Sequence, residues 1–176
     1  MNYSLIRACD IANGPGVRVS LFVSGCTHHC PGCFQPETWG FDYGQPFIWK
    51  TQHQILSLLE PSHIDGLTIL GGEPLEPCNQ RDLLPFVETV KREFPNKTIW
   101  VYTGFIFEEL LSRTGEYGAV TESMLSQLDV LVDGPFIEAK KDLRLKFCGS
   151  SNQRLIDLKK TREAGKIVLW EDCNDA

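Results

Sequence analysis

Hydrophobic and polar positions change rhythm several times along the chain, and each change marks an element. Val17, Val19, Leu21 and Val23 alternate with Arg18, Ser20 and Phe22, the period of a strand over 17–23. Ile55, Leu56, Leu58 and Leu59 recur at helical spacing within Gln52–Glu60, and the short apolar run Leu67–Leu70 reads as a buried strand ending in Gly71-Gly72-Glu73-Pro74. Leu83, Phe86, Val87, Val90 and Phe94 describe an amphipathic helix over Arg81–Phe94, stopped by Pro95. Thr98–Tyr102, rich in β-branched and aromatic residues, predicts a strand closed by Gly104. Ile106–Ser112 and Thr121–Leu128 are helical, and Asp129–Asp133 is a further short strand stopped by Gly134-Pro135. Beyond Leu143 the pattern allows more than one reading. Leu143, Leu145 and Phe147 alternate, and Arg154–Trp170 fits either a helix and a strand or a hairpin turning near Gly165.

Short strands alternating with helices make βαβ units, hence an α/β fold with a mostly parallel sheet under covering helices. Ligands in such folds gather at the carboxyl ends of the strands. Four features fall at such ends: a cysteine segment after the first strand, Gly71-Gly72-Glu73 after the second, Thr103-Gly104 after the third and Asp133-Gly134 after the fourth. One rim is expected to collect them.

Composition narrows the class. A chain of 176 residues, 42% hydrophobic, can bury one sizeable core and is expected to form a single domain over residues 1–176. The 17 Lys and Arg against 23 Asp and Glu, a net charge of −6, offer no attraction for a phosphate backbone, so no nucleic-acid partner is expected. No apolar run is long enough to cross a bilayer, and Met1–Asp10 lacks a signal-peptide core. The seven cysteines are odd in number and well below the ~8–10% density of a disulfide scaffold. A reducing, cytoplasmic setting follows, where clustered thiols mean metal or redox chemistry.

Three of the seven form the cluster. Cys26-Thr27-His28-His29-Cys30-Pro31-Gly32-Cys33 has the spacing C-x3-C-x2-C, and thiolates suit zinc, copper(I) and iron–sulfur centres. A structural zinc site would need a fourth ligand, for which His28, His29 or the distant Cys78 are the candidates. A dithiol of thioredoxin type at Cys30 and Cys33 leaves Cys26 unexplained. Three thiolates on a 4Fe-4S cluster leave one iron open, as catalysis requires. His28 and His29 read as exposed or supporting residues, and Cys9, Cys78, Cys148 and Cys173 have no assigned role.

C-x3-C-x2-C after a first strand, with Gly71-Gly72-Glu73-Pro74 after the second, resembles the radical S-adenosylmethionine (SAM) superfamily. Further segments extend the likeness over nearly the whole chain: Asn13-Gly14-Pro15-Gly16, Leu21 to Cys26, Cys30 to Phe34, Thr38-Trp39, Gly44 to Phe47, Leu131 to Phe136 and Gly149-Ser150-Ser151-Asn152-Gln153. Together they resemble the activating proteins of anaerobic (class III) ribonucleoside-triphosphate reductase. Cys148 departs from that pattern, standing where a basic residue is expected before Gly149.

The resemblance implies a partial (β/α) barrel of the radical SAM type, with cluster and SAM at the carboxyl ends of the strands. Cys26, Cys30 and Cys33 would hold a 4Fe-4S cluster whose open iron is chelated by the methionine part of SAM. Reductive cleavage of SAM would then yield a 5′-deoxyadenosyl radical, so the chemistry would rest on the cofactors rather than on a protein acid or base. Gly32, Cys33 and Phe34 would lie against SAM, Phe34 offering its ring to adenine. Gly71 and Gly72 would let backbone approach the ligand and Glu73 would accept from its ammonium group. Thr103 and Asp133 would reach its carboxylate and ribose hydroxyls, unless they simply cap turns; Phe34 could equally be core and Gly71–Pro74 an ordinary turn. The implied partners are the anaerobic reductase, as protein substrate bearing a glycine to be converted to a stable radical, and a low-potential electron donor such as flavodoxin. A full (β/α)8 barrel takes ~250 residues, so this chain is expected to leave a wide mouth for a peptide loop. A different radical SAM enzyme, or a non-catalytic zinc or redox module, are the alternatives.

Overall fold

The structure, a computed structural model, describes residues 1–171. Its centre is one open seven-stranded sheet. In chain order the elements are β1 (Asn2–Asp10), β2 (Arg18–Val23), β3 (Gln45–Pro46), α1 (Trp49–Leu59), β4 (Gly66–Gly71), α2 (Pro77–Glu93), β5 (Thr98–Tyr102), α3 (Phe107–Leu111), α4 (Gly115–Gln127), β6 (Val130–Asp133), β7 (Arg154–Asp157) and α5 (Leu158–Ala164). The strand order is β3-β1-β2-β4-β5-β6-β7. The four inner strands β2, β4, β5 and β6 are parallel, as the βαβ pattern predicts, while β1 and β7 flank them antiparallel.

The register divides the sheet into two unlike faces. Leu21 pairs with Ile69, Ile69 with Val101 and Val101 with Leu131, so one aliphatic row crosses all four parallel strands. This face is buried under Ile55 and Leu59 of α1, Leu83, Phe86, Val87 and Val90 of α2, and Met124 and Leu125 of α4. On the other face the row runs Ser20, Thr68, Trp100, Val130. Here no long helix packs; Trp100 is covered by Phe147 and Trp170, at ring separations of 5.5 and 5.0 Å.

Arg18 fills the lower end of this second face. It is fully buried, at the first residue of β2, and among the described residues no carboxylate contacts its guanidinium. Nε donates to Thr68 Oγ1 at 2.7 Å, Nη1 to Thr98 Oγ1 at 2.9 Å, and Nη2 to the carbonyls of Leu67 and Thr98, both at 2.9 Å. The cation also lies 5.4 Å from the Trp100 ring centre, and burial lowers its pKa to about 10. The amino ends of the parallel strands are thereby closed, which leaves their carboxyl ends as the accessible rim.

The departures from the sequence expectations have local causes. β1 escapes the alternation rule because its pairing slips twice, between Tyr3 and Leu5 and between Arg7 and Asp10. α2 begins four residues before Arg81 because Pro77 suits a first helical turn, and it runs through Pro85. α4 begins at Gly115, whose glycines mask the helical signal. Residues 154–170 form a strand, then a helix capped by Gly165 at φ 64°, and the returning chain bridges Leu169 to Ile156. Leu143–Phe147 form no strand; the segment is a loop flanked by a single bridge between Lys141 and Ser150.

Replacing Arg18 by Met keeps the aliphatic stem but strips donors from two hydroxyls and two carbonyls. An unfolding free energy lower by about 2–4 kcal/mol is expected, read as a lower denaturant midpoint at unchanged slope.

Candidate cluster and ligand site

The cysteine loop leaves β2 through Ser24 and Gly25 and is tied down at several points. Gly25 N–H donates to Thr38 O (2.8 Å) and Cys26 N–H to Trp39 O (3.2 Å), which fastens the loop's start to the turn at Pro36–Trp39. Thr27 donates through its backbone N–H to Glu76 Oε1 at 2.9 Å, and the Asn79 amide reaches Ser24 O at 3.0 Å and Glu73 O at 2.9 Å. The first turn of α2 therefore holds the loop from below. Gly72 passes so close that a Cβ there would meet Gly25 O at 2.7 Å and Thr38 O at 3.0 Å. Only glycine allows that approach.

Cys26, Cys30 and Cys33 are half-buried on the wall of one cavity of about 750 Å3, within the ~300–1,000 Å3 usual for small-molecule sites. Gly71, Gly72, Glu73, Thr103, Gly104, Phe34 and Gly134 share the lining. The four strand ends thus meet at one rim, as expected. Cys148 is on the same wall, Cys9 and Cys78 are exposed, and Cys173 lies outside the described residues.

None of the described cysteines is in a disulfide. Burial pushes the Cys26 thiol up to about 11 and raises Cys30, so both are protonated at neutral pH in the metal-free chain. A thioredoxin-type dithiol needs a thiol shifted downward, and Cys30 is shifted the other way. Among the described residues no three His, Cys, Asp or Glu side chains surround a point that one metal ion would fill. Three thiols from one loop are a donor set that suits an iron–sulfur cluster.

Glu73 is the most heavily engaged side chain of the rim. It is 1% exposed, and Oε1 accepts from Leu75 N–H and from the Thr103 hydroxyl, both at 2.8 Å. Oε2 accepts from Gly104 N–H at 2.7 Å and lies 3.0 Å from His28 Nε2. One carboxylate therefore links the ends of β4 and β5 to the cysteine loop. The bond to Glu73 raises the His28 pKa, burial opposing it, and the imidazole packs edge-on to Phe105 at 4.4 Å.

Phe34 is not core: it is 62% exposed, 4.9 Å from the Phe136 ring, with the Lys141 ammonium 5.1 Å from its centre. Gly32, at φ 72°, takes the turn before Cys33. Asp133 stands apart from the cavity lining. It is fully buried, Oδ2 accepts from Phe107 N–H at 2.8 Å, and both oxygens take the Arg154 fork, which also grips Glu108. Its carboxylate braces β6 against β7 and α3. The segment Gly149–Gln153 has a comparable bracing role, since Gln153 Oε1 accepts from Gly149 N–H at 2.8 Å and its amide donates to Gly134 O at 3.0 Å. Asn13 donates to Asp10 at 2.6 Å and accepts at its carbonyl from Thr68. Sequence reasoning missed Tyr102, Phe136, Trp39 and Arg7, which also line the cavity; the alternation that puts Phe22 opposite Leu21 was the available signal for this inner face.

Comparison with known proteins decides the family. A family model described as "4Fe-4S single cluster domain" matches residues 12–156. The anaerobic ribonucleoside-triphosphate reductase-activating protein of Pasteurella multocida is 46% identical over 155 residues, covering 87% of this chain and 95% of its own. The chain belongs to the anaerobic ribonucleoside-triphosphate reductase-activating protein family. The Escherichia coli K12 member is 43% identical over 155 residues, 87% of this chain and 96% of its own. The member from phage T4 is 43% identical over 157 residues, 88% and 93%. Among the described residues, no helix is long and apolar enough to cross a membrane.

In this family member Glu73→Gln replaces an acceptor at the centre of the rim by an amide that must turn a donor toward another donor. The change is expected to cost about 1–3 kcal/mol of stability and to speed hydrogen exchange at the Leu75 and Gly104 amides, both readable by NMR.

Proposed function

We propose that this chain is the activating enzyme of an anaerobic ribonucleoside-triphosphate reductase, a radical SAM protein whose sheet is a partial barrel opening toward a protein substrate. The observation that carries this reading is the meeting of three thiols from one loop with the Gly71-Gly72-Glu73 turn on the wall of one cavity. The sheet is open, its order ending at β3 and β7. That leaves a side through which a polypeptide loop can enter.

Cys26, Cys30 and Cys33 hold the 4Fe-4S cluster. When bound, cluster and SAM supply one-electron cleavage of the sulfonium and abstraction of hydrogen from a glycine of the reductase. The protein's part is position and exclusion of water. Gly71 and Gly72 bring backbone close to SAM. Glu73 keeps the three strand ends in register, and its Oε2, shared in this structure by Gly104 N–H and His28, would be the acceptor for the ligand's ammonium group. Gly32, Cys33 and Thr103 border the same space, and the exposed ring of Phe34 is available to stack on adenine. Asp133 acts one step away, bracing β6 against β7 and α3 through Arg154 and Phe107 rather than touching SAM. The cavity's aromatic rim, Phe34, Phe136 and Trp39, limits water around the thiols. A reducing cytoplasm and a low-potential donor such as flavodoxin complete the requirements.

The decisive experiment mixes the anaerobically reconstituted, reduced protein with SAM and the anaerobic reductase. A glycyl radical signal on the reductase is expected in electron paramagnetic resonance, and its loss in Cys26→Ala. SAM cleavage without a signal on the reductase would assign the chain to a different radical SAM reaction.

A further inference from the structure

Several polar groups on the cavity wall are committed to partners within the protein. Glu73 has four partners, Thr103 donates to Glu73, and Gln153 clasps Gly149 and Gly134. Below the cavity Arg18 spends its donors on Thr68, Thr98 and Leu67. Tyr102 differs from these. The residue lines the cavity, and its hydroxyl is a buried polar atom with no hydrogen-bond partner among the described residues. Burial holds its pKa above the ordinary phenol value, so the hydroxyl remains a proton donor. An orphaned buried hydroxyl costs stability in the free protein and is kept where a ligand completes it.

Tyr102 is the last residue of β5, paired with Val132 on β6. Phe22, Leu70, Phe147 and Cys148 line the cavity around it, and the charged side chain of that wall, Arg7, lies 5.5 Å from the Phe22 ring centre. Arg7 is the complement that a ligand carboxylate would find on this wall, whereas the Tyr102 hydroxyl is a neutral donor suited to a main-chain segment, which is uncharged and carries obligatory donors and acceptors. A glycine offers no side chain by which to be held, so an enzyme acting on one must grip the backbone beside it. A single hydroxyl donor in an apolar wall suits one peptide carbonyl.

We propose that the Tyr102 hydroxyl donates a hydrogen bond to a backbone carbonyl of the glycine-bearing loop of the protein substrate and so helps to seat that loop in the cavity. This inference rests on the activase reading and names a substrate-binding residue for it.

Tyr102→Phe removes one oxygen and keeps the ring. Without ligands, the variant is expected to unfold at the same or a higher temperature than the parent, because the lost hydroxyl had no partner. In the loaded enzyme the reductase concentration giving half-maximal glycyl radical formation rises about tenfold, and the half-saturating SAM concentration moves less. A lower unfolding temperature would show that the hydroxyl is bonded within the free protein and would overturn the proposal. So would an unchanged reductase dependence, or a rise confined to SAM, which would give the hydroxyl to the cofactor. A parent protein that cleaves SAM but never leaves a radical on the reductase would overturn the activase reading itself, a result seen before any variant is compared.

Discussion

A single buried carboxylate holds the functional end of this protein together. Glu73 is 1% exposed, and its two oxygens meet two backbone N–H groups, the Thr103 hydroxyl and the His28 ring. A charge so far from water is tolerable only when surrounded by donors. The donors come from the turn after β4, the turn after β5 and the middle of the cysteine loop. Satisfying Glu73 therefore fixes three segments that are remote in sequence, and with them the direction in which the thiols face. Glu76 and Asn79 repeat the device one turn later, holding Thr27 and Ser24 to the start of α2.

The rim can be polar and close-fitting because stability is supplied elsewhere. The aliphatic row through Leu21, Ile69, Val101 and Leu131, buried under three helices, is a continuous core that the site does not interrupt. The inner face is free to carry unusual groups. At its lower end Arg18 is bonded to hydroxyls and carbonyls of the sheet; at its upper end the Tyr102 hydroxyl has no partner among the described residues. The same face thus passes from structural to functional within a few residues of strand.

Much of this arrangement was legible in the sequence because it rests on short-range patterns. The alternation from Val17 to Val23, the apolar run before Gly71 and the helical spacing after Arg81 each reflect a face buried on a regular element. The convergence at the rim follows from the parallel topology alone. What escaped depends on long-range contacts. The irregular β1 has no clean period because its pairing slips twice. Asp133 sits at a strand end like Glu73, yet nothing local reveals that Arg154, distant in the chain, claims its carboxylate. Gln153 and Asn152 could be noticed as a motif, but that they clasp the Gly134–Pro135 turn is visible only in three dimensions. The partnerless hydroxyl of Tyr102 is likewise invisible to any pattern, since it is defined by what surrounds it.

The proposed function requires Cys26, Cys30 and Cys33 to hold an iron–sulfur cluster with an open iron that SAM engages. The most direct measurement is the absorption and electron paramagnetic resonance of the protein reconstituted anaerobically with iron and sulfide, before and after adding SAM. A brown protein carrying one cubane per chain is expected, with a reduced spectrum that changes when SAM is added. A colourless protein that retains a single zinc, or a cluster whose spectrum is indifferent to SAM, would contradict it.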